Sequence, residues 1–250
     1  MVAIYKKKRL DQLLVERGLA PSRSRAADLV RRGCVTAGGA VATKPGTLFG
    51  EDAALVVTGD AARAVSRGGL KLAAALDAFG LDPKGRICLD IGASTGGFTE
   101  VLLERGAAKI YAVDVGRGQL HKRLAVDARV VSLEATDARA LDTHLVPEPA
   151  GAIVADVSFI SLTQALPAAL RLASPGAFLI ALIKPQFEAG REAIGKGGIV
   201  RDPADRARAL ERVHNFIAGE RGWTVRGDMA SPIQGGSGNE EFLLAACYAD

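Results

Sequence analysis

The sequence predicts an α/β protein: a sheet with helices on both faces, preceded by a small α+β unit. Two observations carry this. From about residue 66 onward, apolar strand-like runs alternate with helical segments, the pattern of a sheet covered on both sides. Before that point the elements are short and the chain is basic. Residues 1–50 hold 10 Lys/Arg against 3 Asp/Glu, a balance of +7, whereas the remaining 200 residues balance at −3 within a net charge of +4.

The N-terminal unit reads as two short helices and a small β element. In RLDQLLVERGL, Leu10, Leu13, Leu14 and Leu19 recur near helical spacing and Gly18 ends the run. In SRSRAADLVRRG, Ser22 is the candidate N-cap and Gly33 the stop. CVTAGGAVATKPGTLFGEDAALVV then alternates β-prone runs with Gly and Pro turns, as small hairpins do. Over about residues 8–57 the pattern RLDQLL, SRSRA and KPG resembles the S4 RNA-binding fold. The basic balance agrees with the polyanion partner this implies. Arg9, Arg23, Arg25, Arg31 and Lys44 are the expected phosphate contacts. Side chains two apart on a helix diverge by about 200°, so these arginines cannot all share one face, and some are ordinary solvated charge.

TGDAARAVSRGG, rich in small residues, reads as a linker over 61–69 between a domain at 1–60 and one at 70–250. In the second domain RICLDIG is an apolar strand, followed by a helix over GFTEVLLERG. KIYAVDVG, VVSLEA and GAIVADVS are further strands. SLTQALPAALRLA is helical and leads to the strand GAFLIALIK. DPADRARALERVHNFIAGERG is a long helix with Asp202 or Asp205 near its start, and WTVRGDMA and EFLLAACYA close the chain as strands.

No stretch reaches the roughly 18–20 uninterrupted apolar residues of a membrane-crossing helix. The N-terminal basic cluster follows a short apolar run and lacks the core of an export signal, so a cytoplasmic location is the expectation. Cys34, Cys88 and Cys247 are too scattered for a disulfide framework or a zinc site, and Cys88 and Cys247 read as small buried hydrophobes. His121, His144 and His214 share no metal-ligand spacing. No metal is expected.

LDIGASTGGFTE runs from a buried strand through glycines into a helix, the place where open α/β sheets bind ligands. Asp90, Gly92, Ala93, Ser94, Thr95, Gly96, Gly97 and Phe98 are the expected cofactor residues of this loop. Ser94 stands where a dinucleotide loop needs its second glycine, and the Lys-Ser/Thr ending of a triphosphate loop is missing. S-adenosylmethionine fits better. Its amine and sulfonium are cationic, matching Asp90, and its two ribose hydroxyls suit Asp114 at the end of the next strand, with Val115 beside it. Asp137, after the third strand, is placed to accept from the adenine amino group. Each aspartate alone would serve equally as a cap or turn residue; three at the ends of consecutive strands are harder to dismiss.

FLIALIKPQFE adds a charge where none is expected. Phe178 to Ile183 read as a strand buried on both faces, and the next residue is Lys184, biased to an extended backbone by Pro185. Asp156 ends the preceding strand at the same sheet edge, adjacent if chain order holds, and its carboxylate offsets the cost of a lysine beside the core. A structural ion pair is the plain alternative.

SRGGLKL, DIGASTGGFTE, YAVDVGRGQL, ADVSFISL, IKPQFE, GKGGIVRDP and SPIQGGSGNEEFL are together similar to the hemolysin-A-type (TlyA) family. Its members are ribosomal RNA 2′-O-methyltransferases with an S4 domain before a methyltransferase domain of the FtsJ/RrmJ type. The resemblance covers essentially the whole chain. It implies a Rossmann-like S-adenosylmethionine-dependent methyltransferase sheet, ribosomal RNA or ribosomal subunits as partner, and cytidine as the methylated nucleoside. It also implies a Lys–Asp–Lys–Glu tetrad at Lys71, Asp156, Lys184 and Glu241. The family pattern G-N-x-E-aromatic selects Glu241, and the adjacent Glu240 would face the opposite side of the strand. The family more often has Asn where this chain has Asp137; either accepts a hydrogen bond. A ribose 2′-hydroxyl is a poor nucleophile until its proton leaves. Lys184 is therefore expected to contact the 2′-oxygen, as base or as stabiliser of the developing alkoxide, and the sequence leaves both roles open.

EAGREAIGKGGIVRDP bears Arg191, Lys196 and Arg201 and reads either as a cover over substrate or as a plain connection. Base N-methylases of this fold carry an Asn/Asp-Pro-Pro-aromatic turn where this chain has Asp156-Val157-Ser158-Phe159, which argues against a base target. The family's name raises a pore-forming protein, but the alternating strands of about ten residues that build a barrel wall are missing. A non-catalytic RNA-binding assembly factor is the remaining alternative.

Overall fold

The structure, a computed structural model, describes residues 7–20, 22–31, 34–57, 65–66, 68–236 and 238–249. The side chains of Arg25 and Arg31, two of the expected phosphate contacts, lie outside the described set. The chain divides into two compact units, Met1–Ala64 and Val65–Asp250.

In the first unit β1 (Lys7–Arg9) leads into α1 (Leu10–Glu16). Next come α2 (Arg23–Arg31), β2 (Val35–Ala37), β3 (Ala40–Val41), β4 (Leu48–Gly50) and β5 (Leu55–Val57). β1 pairs with β4, and β2 lies between β3 and β5, all antiparallel. Leu10, Leu14, Leu29 and Val30 of the two helices bury against Val35, the apolar stripe that helical spacing predicts. Leu19 leaves that stripe. Gly18 turns left-handed at φ +69°, and the residue after it is 37% exposed.

The second unit opens with α3 (Gly68–Phe79), β6 (Ile87–Ile91), α4 (Gly97–Glu104), β7 (Lys109–Val113), α5 (Lys122–Ala125) and β8 (Val130–Leu133). It continues with β9 (Ala150–Ala155), α6 (Leu162–Ala165), α7 (Pro167–Leu170), β10 (Ala173–Ile183) and α8 (Pro185–Glu188). α9 (Pro203–Gly219), β11 (Trp223–Ala230) and β12 (Phe242–Tyr248) complete it. The seven strands stand in the order β11-β12-β10-β9-β6-β7-β8. Those from β10 to β8 are parallel, while β12 runs antiparallel to both its neighbours. The chain winds to one side from β6 to β8 and then to the other through β9 and β10. That reversal opens a crevice between β6 and β9 at the strands' C-terminal ends.

Alternate strand residues feed opposite faces. Leu89, Ile153 and Leu179 meet α6, α7 and α9 through Leu162, Leu170 and Val213. Cys88, Val154 and Ile180 meet α3 and α4 through Leu72 and Leu102. Because both faces are covered, the strands read as unbroken apolar runs. Cys88 sits there as a small hydrophobe, its thiol pushed up to about 12 by burial.

Two elements differ from their sequence expectation. SLTQALPAALRLA forms two short helices, since Pro167 has no N–H to continue the first and instead opens the second. α3 begins at Gly68, inside the stretch read as linker, where the Gly68 N–H donates to the Ser66 hydroxyl at 3.1 Å.

Candidate active site

At the C-terminal edge of β6, β7 and β9 lies a cavity of about 760 Å³, within the usual size of small-molecule sites. The loop leaving β6 forms part of its wall. Gly92 has φ +83°, and a Cβ there would stand 2.6 Å from the Asp156 carbonyl oxygen, so this turn passes only without a side chain. Gly96, at φ +96°, caps the start of α4, and a side chain on it would strike Leu120 and Leu124. Ser94 donates its N–H to Asp114 Oδ2 at 2.8 Å, and Gly116 donates to Asp114 Oδ1 at 2.7 Å. Asp114 thus ties together the loops after β6 and β7. Each of its oxygens retains a second acceptor position.

The expected cofactor residues separate into three groups. Gly92, Ser94, Asp114, Val115 and Asp137 line the large cavity. Ala93, Thr95, Gly97 and Phe98 line a smaller cavity of about 170 Å³ that also reaches Lys184, and Gly92, Ser94, Asp156 and Ser158 belong to both. Gly96 and Asp90 line neither. Asp90 departs furthest from its expected contact with a ligand cation. It alternates with Leu89 and Ile91, so it points beneath α4, fully buried, and accepts from the Thr99 hydroxyl at 2.6 Å. Burial, opposed by that hydrogen bond, pushes its carboxyl up to about 7, and its Oδ1 has no hydrogen-bond partner among the described residues. Asp137 reaches the cavity but is already engaged. Arg139 donates to it through Nε at 3.0 Å and NH2 at 2.5 Å, which holds its carboxyl below the ordinary range.

The four tetrad residues form two ion pairs. Lys184 follows β10 with an extended backbone (φ −109°, ψ 104°) and caps α8, whose first residue is Pro185. Its ammonium lies 2.5 Å from Asp156 Oδ1 and donates to the Ser158 hydroxyl at 2.9 Å. β10 stands next to β9 in the sheet, which is what brings the two charges together. Lys71, in the first turn of α3, is paired with Glu241, and both are buried. Glu241 precedes Phe242, the cross-strand partner of Ile183, so this pair borders Lys184. The first turn of α3 also abuts Asp156, whose Oδ2 lies 3.6 Å from where a Gly68 Cβ would be. Glu240 points the other way, to Arg206 at 3.1 Å.

Several residues escaped the sequence reading. Ser158 carried no signal of its own. Phe159 has φ +66°, rare for a bulky residue, is 91% exposed, and packs on Phe187 with ring centroids 5.3 Å apart. Glu188 is buried and accepts from the Ser161 hydroxyl at 2.6 Å and the Leu162 N–H at 2.7 Å. It clamps the loop after β9 to the helix after Lys184, and burial raises its carboxyl above the ordinary range. Glu134 gathers the N–H groups of Gly118, Gln119 and Leu120, which shapes the loop carrying Val115 and Gln119 over the cavity.

Arg191, Lys196 and Arg201 are exposed and line neither cavity. Their loop is anchored by Asn239, which accepts from the Val200 N–H at 2.9 Å and donates to the Gly198 carbonyl at 2.8 Å. In the first unit Arg9 is engaged by Asp11, Arg23 reaches the same carboxylate, and Lys44 is exposed.

Residues 64–248 match the profile of the FtsJ-like methyltransferase family, and residues 8–54 match that of the S4 domain. The chain is 51% identical over 237 residues to the 16S/23S rRNA (cytidine-2′-O)-methyltransferase TlyA of Mycobacterium tuberculosis, covering 94% of this chain and 88% of that protein. It is 42% identical to Hemolysin A of Brachyspira hyodysenteriae, over 94% of this chain and 98% of that one. Among solved structures, a Streptococcus thermophilus protein described as a hemolysin superposes with a TM-score of 0.76 at 44% identity, covering 98% of this chain and 89% of the other.

Proposed function

The chain belongs to the FtsJ-like methyltransferase family, and we propose that it moves a methyl group from S-adenosylmethionine to a ribose 2′-hydroxyl of ribosomal RNA. The observation that carries this reading is the Lys184–Asp156 pair in the wall shared by the small cavity and, through Asp156 and Ser158, the large one. A cation there faces the point where a nucleophile would meet a ligand held by the glycine turn.

The residues present fit the cofactor. Gly92 and Ser94 of the turn after β6 line the cavity, and Asp114 has acceptor positions left for ribose hydroxyls. Val115, 72% exposed on the cavity wall, offers an apolar surface for the adenine. The bound cofactor supplies a methyl group on a positively charged sulfur.

To receive the methyl group that the bound cofactor would supply, the 2′-oxygen must give up its proton. Lys184 meets that oxygen: as the ammonium beside Asp156 it stabilises the charge left behind, and only as a neutral amine, its own proton first released, does it take the proton. Asp156 and Ser158 hold its nitrogen from two sides, so its direction is set before substrate arrives. The buried Lys71–Glu241 pair anchors α3 to β12 beside it. The exposed Phe159–Phe187 rings present a π-face on which a base turned out of its stack can rest. The S4 domain contributes sequence-tolerant affinity for phosphate. Cytidine is the proposed nucleoside, because the Mycobacterium tuberculosis relative is named for it.

The experiment is to incubate the full chain with labelled S-adenosylmethionine and ribosomal subunits or free ribosomal RNA, then map 2′-O-methyl groups. New 2′-O-methylcytidine is the expected result. Label on a base or on protein, or no transfer at all, would overturn the reading.

A further inference from the structure

Asp11 is out of keeping with its surroundings. In a fifty-residue stretch with a balance of +7, this acid in the first turn of α1 is only 4% exposed. A buried carboxylate needs compensation, and two arginines from different elements supply it. Arg9, at the end of β1, donates through Nε to Oδ1 at 3.0 Å and through NH2 to Oδ2 at 2.9 Å. This is the two-pronged geometry that suits guanidinium to carboxylate. Arg23, at the start of α2, reaches Oδ2 through NH2 at 3.4 Å. The Arg9 guanidinium also lies against Gly46, where a Cβ would stand 3.0 Å from NH1. The Arg9 hydrogen bonds hold the Asp11 carboxyl below its ordinary range, against the opposing effect of burial.

Both arginines nevertheless remain open to solvent, with side chains 48% and 61% exposed. A carboxylate spends at most one face of each guanidinium, and five N–H donors per arginine leave several for another anion. As a charge, Asp11 weakens the attraction of this unit for a polyanion. As a geometric device, it removes the rotamer freedom that two long side chains would otherwise lose on binding.

We propose that Asp11 is a positioning residue for RNA: its buried carboxylate fixes the Arg9 and Arg23 guanidiniums side by side as a preformed two-point site for a backbone phosphate. This rests on the reading of the N-terminal unit as RNA-binding. It gives Asp11 a sign opposite to that of simple electrostatics. Neutralising an acid on a basic unit raises the net positive charge and should tighten binding to any polyanion. Losing the fixed pair should loosen it.

The test measures binding of the full chain to deproteinised ribosomal RNA across a salt series. For Asp11→Asn the expected result is affinity about tenfold lower, the loss of one charge-assisted hydrogen bond. Its salt slope should be shallower by about one phosphate contact. The same substitution placed in an Arg9→Ala/Arg23→Ala background should change nothing further. Unchanged or tighter binding by Asp11→Asn overturns the proposal. So does an equal loss in both backgrounds, which is how general unfolding of the unit would behave. If wild-type binding is insensitive to salt, or Arg9→Ala/Arg23→Ala binds as well as wild type, the RNA reading of the unit fails and takes this proposal with it.

Discussion

The Lys184 ammonium donates to the Ser158 hydroxyl at 2.9 Å while resting 2.5 Å from the carboxylate of Asp156, two residues earlier on the same loop. An ammonium has three donors, so these two neighbours leave at least one directed elsewhere. Ser158→Ala removes one restraint without removing charge. Methyl transfer should fall about tenfold, the cost of one hydrogen bond to a charged group, with cofactor affinity little changed. Equilibrium dialysis with labelled cofactor beside single-turnover kinetics separates the two quantities.

Glu241→Ala should be far more damaging to the fold than its position near the chain end implies. It strands the Lys71 ammonium, whose side chain is only 9% exposed. Breaking a buried pair from one side costs about 3 kcal/mol or more, visible as a lower urea midpoint. The double replacement Lys71→Met/Glu241→Leu should recover most of that stability and none of the methyl transfer. Recovery of activity would show that the pair is only structural.

Asp90 makes stability depend on pH in a defined direction. Its carboxyl rises from 3.8 to about 7 in the folded chain, chiefly through burial. Between those values the folded state keeps a proton that the unfolded state has released, so this group's contribution is lost as pH rises through the window. The slope is at most about 1.4 kcal/mol per pH unit. Glu188, also raised by burial, adds to the same trend. Asp90→Asn should flatten the profile of the cofactor-free protein between pH 4 and 7, as denaturant melts at several pH values would record. An unchanged profile would mean that Asp90 is not held protonated.

Phe159→Ala should lower methyl transfer to RNA by about tenfold or more, since stacking of a base on an aromatic side chain contributes about 1–3 kcal/mol. Thermal stability should hold, because the ring is 91% exposed. A variant as active as wild type on ribosomal RNA would remove the aromatic pair from the substrate path.

Particular residues show why the sequence was informative in some places and silent in others. The strands were legible because both sheet faces are buried, so Ala150–Ala155 and the end of β10 read as plain apolar runs. The Lys184–Asp156 contact followed from chain order alone. The Lys71–Glu241 pair spans 170 positions and depends on β12 slotting between β10 and β11, a pairing that no local pattern announces; the family resemblance named the two residues but not their contact. The direction of Asp90 had a signal that went unread. Strand alternation places it on the face opposite Leu89 and Ile91, away from the cavity. Ser158 and the Phe159–Phe187 contact arise from a left-handed loop turn, and nothing in composition or periodicity marks one.

The most direct test of the account compares wild type with Lys184→Ala. Each full-length protein is incubated with labelled S-adenosylmethionine and ribosomal RNA, which is then digested to nucleosides and separated. Wild type should place its label in 2′-O-methylcytidine, and Lys184→Ala should lose at least about a hundredfold in rate while binding the cofactor normally. Label recovered in a base-methylated nucleoside, or a Lys184→Ala rate close to wild type, would contradict it.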